Sequence, residues 1–242
     1  MVEVEARDDV RVVLQDGPWA VDAGLRAGGA AHLAALRRRV PGMHDGPVLA
    51  MTAVHGGVVH ARRGGYYDMV ATADALAGDP ALHARATALA GDDPLHRGDG
   101  RVAAIGLSVA TLVPGGGVLL GRRRAELPLD PGRWHVVPSG MLEPERDPIA
   151  AAVAREAREE LGVAIDPAAV RMLGLGWDRA RLRPEVCMAL TLDAVPTRAG
   201  GDEFDAVDEF HPARAPADLT PGAACALALL GKQRLADESE GA

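Results

Sequence analysis

"REAREELGV", residues 155–163, places three glutamates within five residues and closes on a glycine. The flanks say what kind of segment this is. Asp147 is a good helix N-cap, Pro148 suits the first helical position and Gly162 fits just past the last turn, so residues 148–161 read as one helix. On a helix, residues three and four apart share a face, so Glu156, Glu159 and Glu160 converge. At roughly 100° per residue, Ile149, Val153 and Ala157 form an apolar stripe within about 40° of its centre. Glu160 falls about 20° and Glu156 about 60° from that centre, whereas Glu159, Arg155 and Arg158 come out on the rim or the wet face. Two carboxylates are therefore expected on the buried side.

A solvated surface helix would keep its glutamates off the apolar stripe. Carboxylates that converge towards a core must protonate, recruit arginine or bind a cation. Divalent metal is one answer, and a purely structural Arg–Glu network is the other. Oxygen ligands without a nearby His or Cys point to Mg²⁺, with Mn²⁺ possible, rather than zinc.

Composition narrows the partners. The chain of 242 residues carries a formal charge of −8, and Lys232 is the only lysine among 26 basic residues. That balance argues against a broad nucleic-acid or anionic-membrane surface, so any phosphate chemistry must rest on local arginines or bound cations. Cys187 and Cys225 have no metal-ligand spacing and read as core thiols in a reducing compartment. "MVEVEARDD" lacks the features of a signal peptide, and "VAAIGLSVATLV" is too short to span a bilayer; a cytoplasmic protein is expected.

Along the chain, "DPALHARATALAGDDPLHRGDGR" (79–101) passes from a helical pattern into a linker-like stretch, which predicts a boundary near residue 98. Before it, a helix over 22–39, strands over 47–54 and 57–62 joined by "HGG", and helices over 68–77 and 80–90 make a small α+β unit, residues 1–98. After it, over residues 99–242, "VAAIGLSVATLVP" and "GVLLGRR" form strands joined by "GGG", and "WHVVPSG" is a further strand. Beyond the glutamate helix, strands over 170–176, 184–194 and 206–210 precede a closing helix over 221–235. The class is α/β (α+β).

The glutamate helix resembles the Nudix box, G-x5-E-x7-R-E-U-x-E-E-x-G-U with U aliphatic. "REAREELGV" fits its second half at every fixed position, with Ala157 a small choice at U. Two departures lie upstream: Asp147 stands where the box has glutamate, and six residues rather than five separate Gly140 from it. The resemblance implies a Nudix fold, a mixed sheet sandwiched between helices, over about residues 100–236, and a hydrolase that cleaves a diphosphate linked to another group. It further implies that Glu156, Glu159 and Glu160, with the main-chain carbonyl of Gly140, hold magnesium and that Arg155 orients the glutamates. The general base would be Glu156 or an acid of "GGDEFD", where Glu203, Asp202 and Asp205 are candidates.

The N-terminal unit, with "GPVLAMTAVHGGVVHARRGGYYDMVATADAL", resembles the small domain of two-domain Nudix hydrolases acting on UDP-glucose and UDP-galactose. A small-molecule diphosphate, foremost a UDP-sugar, is the substrate this implies, and homodimerisation stays open. A prenyl diphosphate, or a nucleotide-sugar-binding module without turnover, are the competing expectations.

Other residues are weighed singly. Of Arg122, Arg123 and Arg124 at a strand end, alternation sends at most two to one face, and Arg122 and Arg123 are candidates for a phosphate oxygen. The chain has only seven Trp, Tyr and Phe residues, so few can stack on a base; Tyr67 and Trp177 are placed in the substrate site. Glu185 could approach the metal, His135 reads as a strand histidine, and "PGGG" (114–117) reads as a hairpin turn rather than a phosphate cradle.

Overall fold

The computed structural model describes residues 2–17, 19–196 and 201–240, with the side chains of residues 237–240 excepted. Its first part comprises β1 (Val2–Ala6), β2 (Arg11–Leu14), α1 (Ala23–Arg39), β3 (Pro47–His55), β4 (Val58–Gly65), α2 (Tyr66–Thr72) and α3 (Pro80–Ala90). Asp22 and Asp79 cap α1 and α3 by accepting hydrogen bonds from first-turn amides. β3 and β4 form the expected hairpin through Gly56, which takes φ 56°, and β2 adds in parallel to β4 to complete a three-stranded sheet. At Gly29 a Cβ would lie 1.8 Å from the Ala71 carbonyl oxygen, so α1 approaches α2 this closely only at glycine.

The second part comprises β5 (Gly106–Leu112), β6 (Val118–Arg123), β7 (Trp134–Val136), β8 (Ser139–Met141), α4 (Pro148–Glu156), β9 (Arg171–Asp178), β10 (Arg183–Thr191), β11 (Phe204–Phe210) and α5 (Pro221–Glu240). The sheet runs β1-β9-β10-β5-β6-β11 and is mixed: β10 and β5 are parallel and their neighbours antiparallel. β5 and β6 pair only at Leu112–Val118 beside the glycine turn and then part, so β8 pairs with β5 and β7 with β6. Strand alternation then fills two layers. Leu107, Val109 and Leu119 pack with Val153 and Leu161 of the glutamate helix, while Ala110, Leu120 and Cys187 pack with Ala226 and Leu229 of α5. Burial on both faces explains why "GLSVATL" is apolar almost throughout rather than alternating.

The chain's first strand, β1, pairs antiparallel with β9 and completes the large sheet. The core cluster holding Leu49, Met51 and Val59 also holds Ile105 and Leu107, which joins the two parts into one interior. "WHVVPSG" is two short strands on either side of the cis Val137–Pro138 peptide, and the helix expected over 68–77 is α2 followed by a 3₁₀ turn, Asp74–Gly78. Both cysteines are free and buried. Among the described residues no helix is long and apolar enough to cross a membrane.

Candidate active site

A cavity of about 590 Å³ opens between the N-terminal part and the large sheet. Its walls come from residues 40–48 and Tyr66 on one side, from Gly140, Arg155, Glu156 and Glu159 on a second, and from Arg183, Glu185 and the start of α5 on a third.

The glutamate wall follows from local sequence. Asp147 caps α4 by accepting from the Ala150 amide at 3.3 Å, and Pro148 occupies the first turn. After Glu156 the helix widens into one π-helical turn, Ala157–Leu161, closed by Gly162 at φ 68°. A wider turn departs from 100° per residue, yet the expected partition holds: Glu156 and Glu160 are 8% and 3% exposed, and Glu159 is exposed. Such turns recur at functional sites.

Glu160 Oε2 accepts from the Ser139 amide at 2.9 Å, whereas its buried Oε1 has no hydrogen-bond partner. Glu156 Oε1 accepts from Arg155 Nη2 at 2.9 Å, and the same nitrogen donates to the Met141 carbonyl at 3.2 Å. Arg155 also pairs with Glu143 Oε1 at 3.4 Å, so Glu143, not Asp147, is the loop carboxylate beside it. At Gly140 a Cβ would sit 2.1 Å from Glu156 Oε1; only glycine leaves room for that carboxylate against the strand. Burial pushes Glu156 up to about 7, partly offset by Arg155, and pushes Glu160 well above the usual carboxylate range, with the charges of Glu203 and Glu156 adding to it. Among the described residues no three His, Cys, Asp or Glu side chains are already gathered as a metal cluster. An unanswered buried oxygen and a hard, oxygen-only donor set nevertheless fit a divalent cation.

Several expected residues reach the cavity and others do not. Arg123 and Glu203 both line it, joined Nη1 to Oε2 at 3.2 Å, and Arg123 Nε donates to the Leu129 carbonyl at 3.1 Å. Arg122 does not: alternation turns it outward, where it is exposed and donates to the Gly132 carbonyl at 3.3 Å. Tyr67 is also displaced, its hydroxyl donating to the Met43 carbonyl at 2.8 Å with Arg37 over its ring; Tyr66 lines the cavity instead. Trp177 is 1% exposed in the core, edge-on to His96, and cannot stack on a ligand. Of the "PTRAGGDEFD" loop, residues 197–200 lie outside the described residues.

On the third wall, Glu185 Oε1 accepts from Ser108 Oγ at 2.5 Å, and burial lifts it to about 7, offset by Arg183 and by that hydrogen bond. His135 Nδ1 and Thr220 Oγ1 are 2.6 Å apart, and burial holds the imidazole well below its ordinary 6.5, hence neutral. Arg183 was not anticipated. Its signal was the spacing in "RLRPE", where alternation puts Arg183 and Glu185 on one face.

A family model described as NUDIX domain matches residues 104–230, more than half of the chain. The chain belongs to the Nudix family. Similar solved structures include a MutT NUDIX hydrolase from Burkholderia pseudomallei, at 28% identity and TM-score 0.41 over 52% of this chain and 97% of that one. The MutT protein from Methanosarcina mazei Go1 is 17% identical, with TM-score 0.46 over 55% and 94%. The NUDIX domain of Shewanella oneidensis NrtR, complexed with ADP ribose, is 17% identical, with TM-score 0.43 over 54% and 87%. No curated protein matches the chain. Nudix hydrolases are pyrophosphohydrolases that generally use a divalent metal such as Mg²⁺, and this chain is an enzyme of that class.

Proposed function

We propose that this Nudix enzyme hydrolyses the diphosphate bond of a nucleoside diphosphate linked to another group, with a UDP-sugar as the leading substrate and Mg²⁺, or Mn²⁺, as its metal. The observation that carries the reading is the unpartnered, buried Oε1 of Glu160, whose other oxygen accepts from the amide of the cavity-lining Ser139. Glu156, Glu159 and Glu160, with the Gly140 carbonyl, are the groups that would hold the metal. When bound, a divalent ion neutralises phosphate charge and lowers the pKa of an attacking water.

The chain's own side chains supply the rest. Arg155 ties Glu156 to the Met141 carbonyl and so sets the helix against the loop that starts at Gly140. Glu203, held by Arg123 at the cavity, takes the proton from water, with Glu156 as the second candidate base. Attack on one phosphorus breaks the P–O–P bridge and leaves a monophosphate on each product. The UDP-sugar assignment draws support from the N-terminal part, whose residues 40–48 and Tyr66 close the cavity where the linked group would lie. The many charged side chains in the walls disfavour an apolar prenyl tail.

Incubating the protein with Mg²⁺ and a panel of sugar nucleotides, dinucleotides, nucleoside triphosphates and prenyl diphosphates, with products read by mass, tests this. A UDP-sugar split into a nucleoside monophosphate and a sugar phosphate is the expected result. Tight binding of one compound with no turnover of any would overturn the enzyme reading.

A further inference from the structure

Three arginines line the cavity, and two of them are engaged. Arg123 is held by Glu203 and the Leu129 carbonyl, and Arg155 by Glu143, Glu156 and the Met141 carbonyl. Arg183 is not. It is half-buried at the start of β10, and among the described residues its one hydrogen bond runs from Nε to the Ala104 carbonyl at 3.4 Å, with no ion pair. Its charge acts on Glu185 and Asp74, but among the described residues neither acid forms an ion pair with it. Its cross-strand neighbour Asp178 pairs through Oδ2 with Arg181 Nη1 at 2.7 Å, and Glu185 Oε1 is taken by Ser108.

Tyr66 enters the same cavity from the N-terminal part, and its hydroxyl makes no hydrogen bond among the described residues. The charges of Arg183 and Arg123 both act on the phenol, and burial nonetheless keeps it protonated, pushed up to about 12, so it is available as a donor. A half-buried guanidinium whose two terminal nitrogens are unfilled is open to a ligand, and a phosphoryl group presents the paired oxygens that match that fork.

We propose that Arg183 and the Tyr66 hydroxyl form an anion-recognition corner that holds a phosphoryl group of the substrate, Arg183 through two parallel N–H···O bonds and Tyr66 through one. The substrate class rests on the function proposed above; the corner itself requires only a phosphoryl anion. One consequence is that the N-terminal part contributes a binding residue rather than only a wall.

Calorimetric titration of methylenediphosphonate, whose P–C–P bridge resists hydrolysis, tests the corner with Mg²⁺ and again with chelator. Arg183→Gln is expected to weaken binding roughly 10- to 100-fold. Arg183→Lys should fall between that variant and the wild type, because it keeps the charge but loses the fork. Tyr66→Phe should lose about 5-fold, the worth of one neutral hydrogen bond. Thermal melting of each variant identifies any that fails to fold, and Arg183→Lys and Tyr66→Phe then carry the test. With a turned-over substrate in hand, Arg183→Gln should raise KM more than it lowers kcat. Equal affinity of folded variants and wild type in both conditions, or no binding by the wild type in either, overturns the corner. That result is separate from failure of the proposed function, which is the absence of turnover across the substrate panel.

Discussion

Glu160 and Glu185 are two carboxylates withdrawn from water on opposite sides of one sheet, and burial raises both. Their remedies differ. Glu185 has a serine hydroxyl at 2.5 Å and accommodates its burial within the protein. Glu160 has one backbone amide on Oε2 and nothing on Oε1, although it is 3% exposed and shares its helix end with two further glutamates. Desolvation alone therefore does not distinguish the two. The oxygen left without a donor does, and it is what supports the proposed metal site, because leaving it so is costly unless a cation or proton arrives.

The largest effect expected from this contrast is at Glu160. Glu160→Gln keeps the shape but removes the charge, and Mg²⁺-dependent turnover should fall on the order of 10³-fold or more. Mg²⁺ should raise the melting temperature of the wild type but not that of Glu160→Gln. Retained activity would place the metal elsewhere. Gly140→Ala comes next: its Cβ would meet Glu156 Oε1 at 2.1 Å, so the carboxylate must move, and a displacement near 1 Å costs about 10²-fold in kcat. Wild-type kinetics in that variant would show that Glu156 need not lie against the strand.

Glu185 sharpens the other side of the contrast. Its carboxyl is raised from 4.5 to about 7, so between those values the folded protein holds a proton that the unfolded chain releases. Stability from this group is thus fully present below about pH 4.5 and is lost as pH rises through about 7. Glu185→Gln should remove that slope and leave the variant about 3 kcal/mol more stable than the wild type at pH 8. Denaturant midpoints across pH 5–8 measure it, and an unchanged slope would mean that Glu185 stays ionised in the fold. The smallest effect is at Asp147. Asp147→Ala should cost about 1 kcal/mol through the lost cap, with turnover within about two-fold of wild type, since Arg155 pairs with Glu143 instead. A large loss of activity there would show that Asp147 acts in the site as well as capping the helix.

How much of this was readable depends on the range of the interactions involved. The glutamate helix was legible because Asp147, Pro148 and Gly162 act on backbone groups within a turn of themselves. The partition of its carboxylates followed from helical geometry even though the last turn is π-helical. The hairpins at "HGG" and "GGG" were legible for the same local reason. β1 was not, because "VEVEA" is a short acidic strand whose pairing partner, from Gly174 to Asp178, lies far along the chain. Alternation allows at most two of Arg122, Arg123 and Arg124 on one face, but only pairing with β7 and β11 says that Arg123 meets the cavity and Arg122 does not. Tyr66 against Tyr67, and Trp177 inside the core, were decided in the same way.

The sequence by itself determined the family, the helix that carries Glu156, Glu159 and Glu160, and the oxygen-donor chemistry they imply, since all of these rest on residues close together in the chain. Tertiary structure alone decided that Arg155 meets Glu143, that Ser108 answers Glu185, and that Arg183 and Tyr66 face one cavity. The last two of these join elements far apart in the chain, and their geometry is set by sheet register and by the packing of the N-terminal part, neither of which any local stretch encodes.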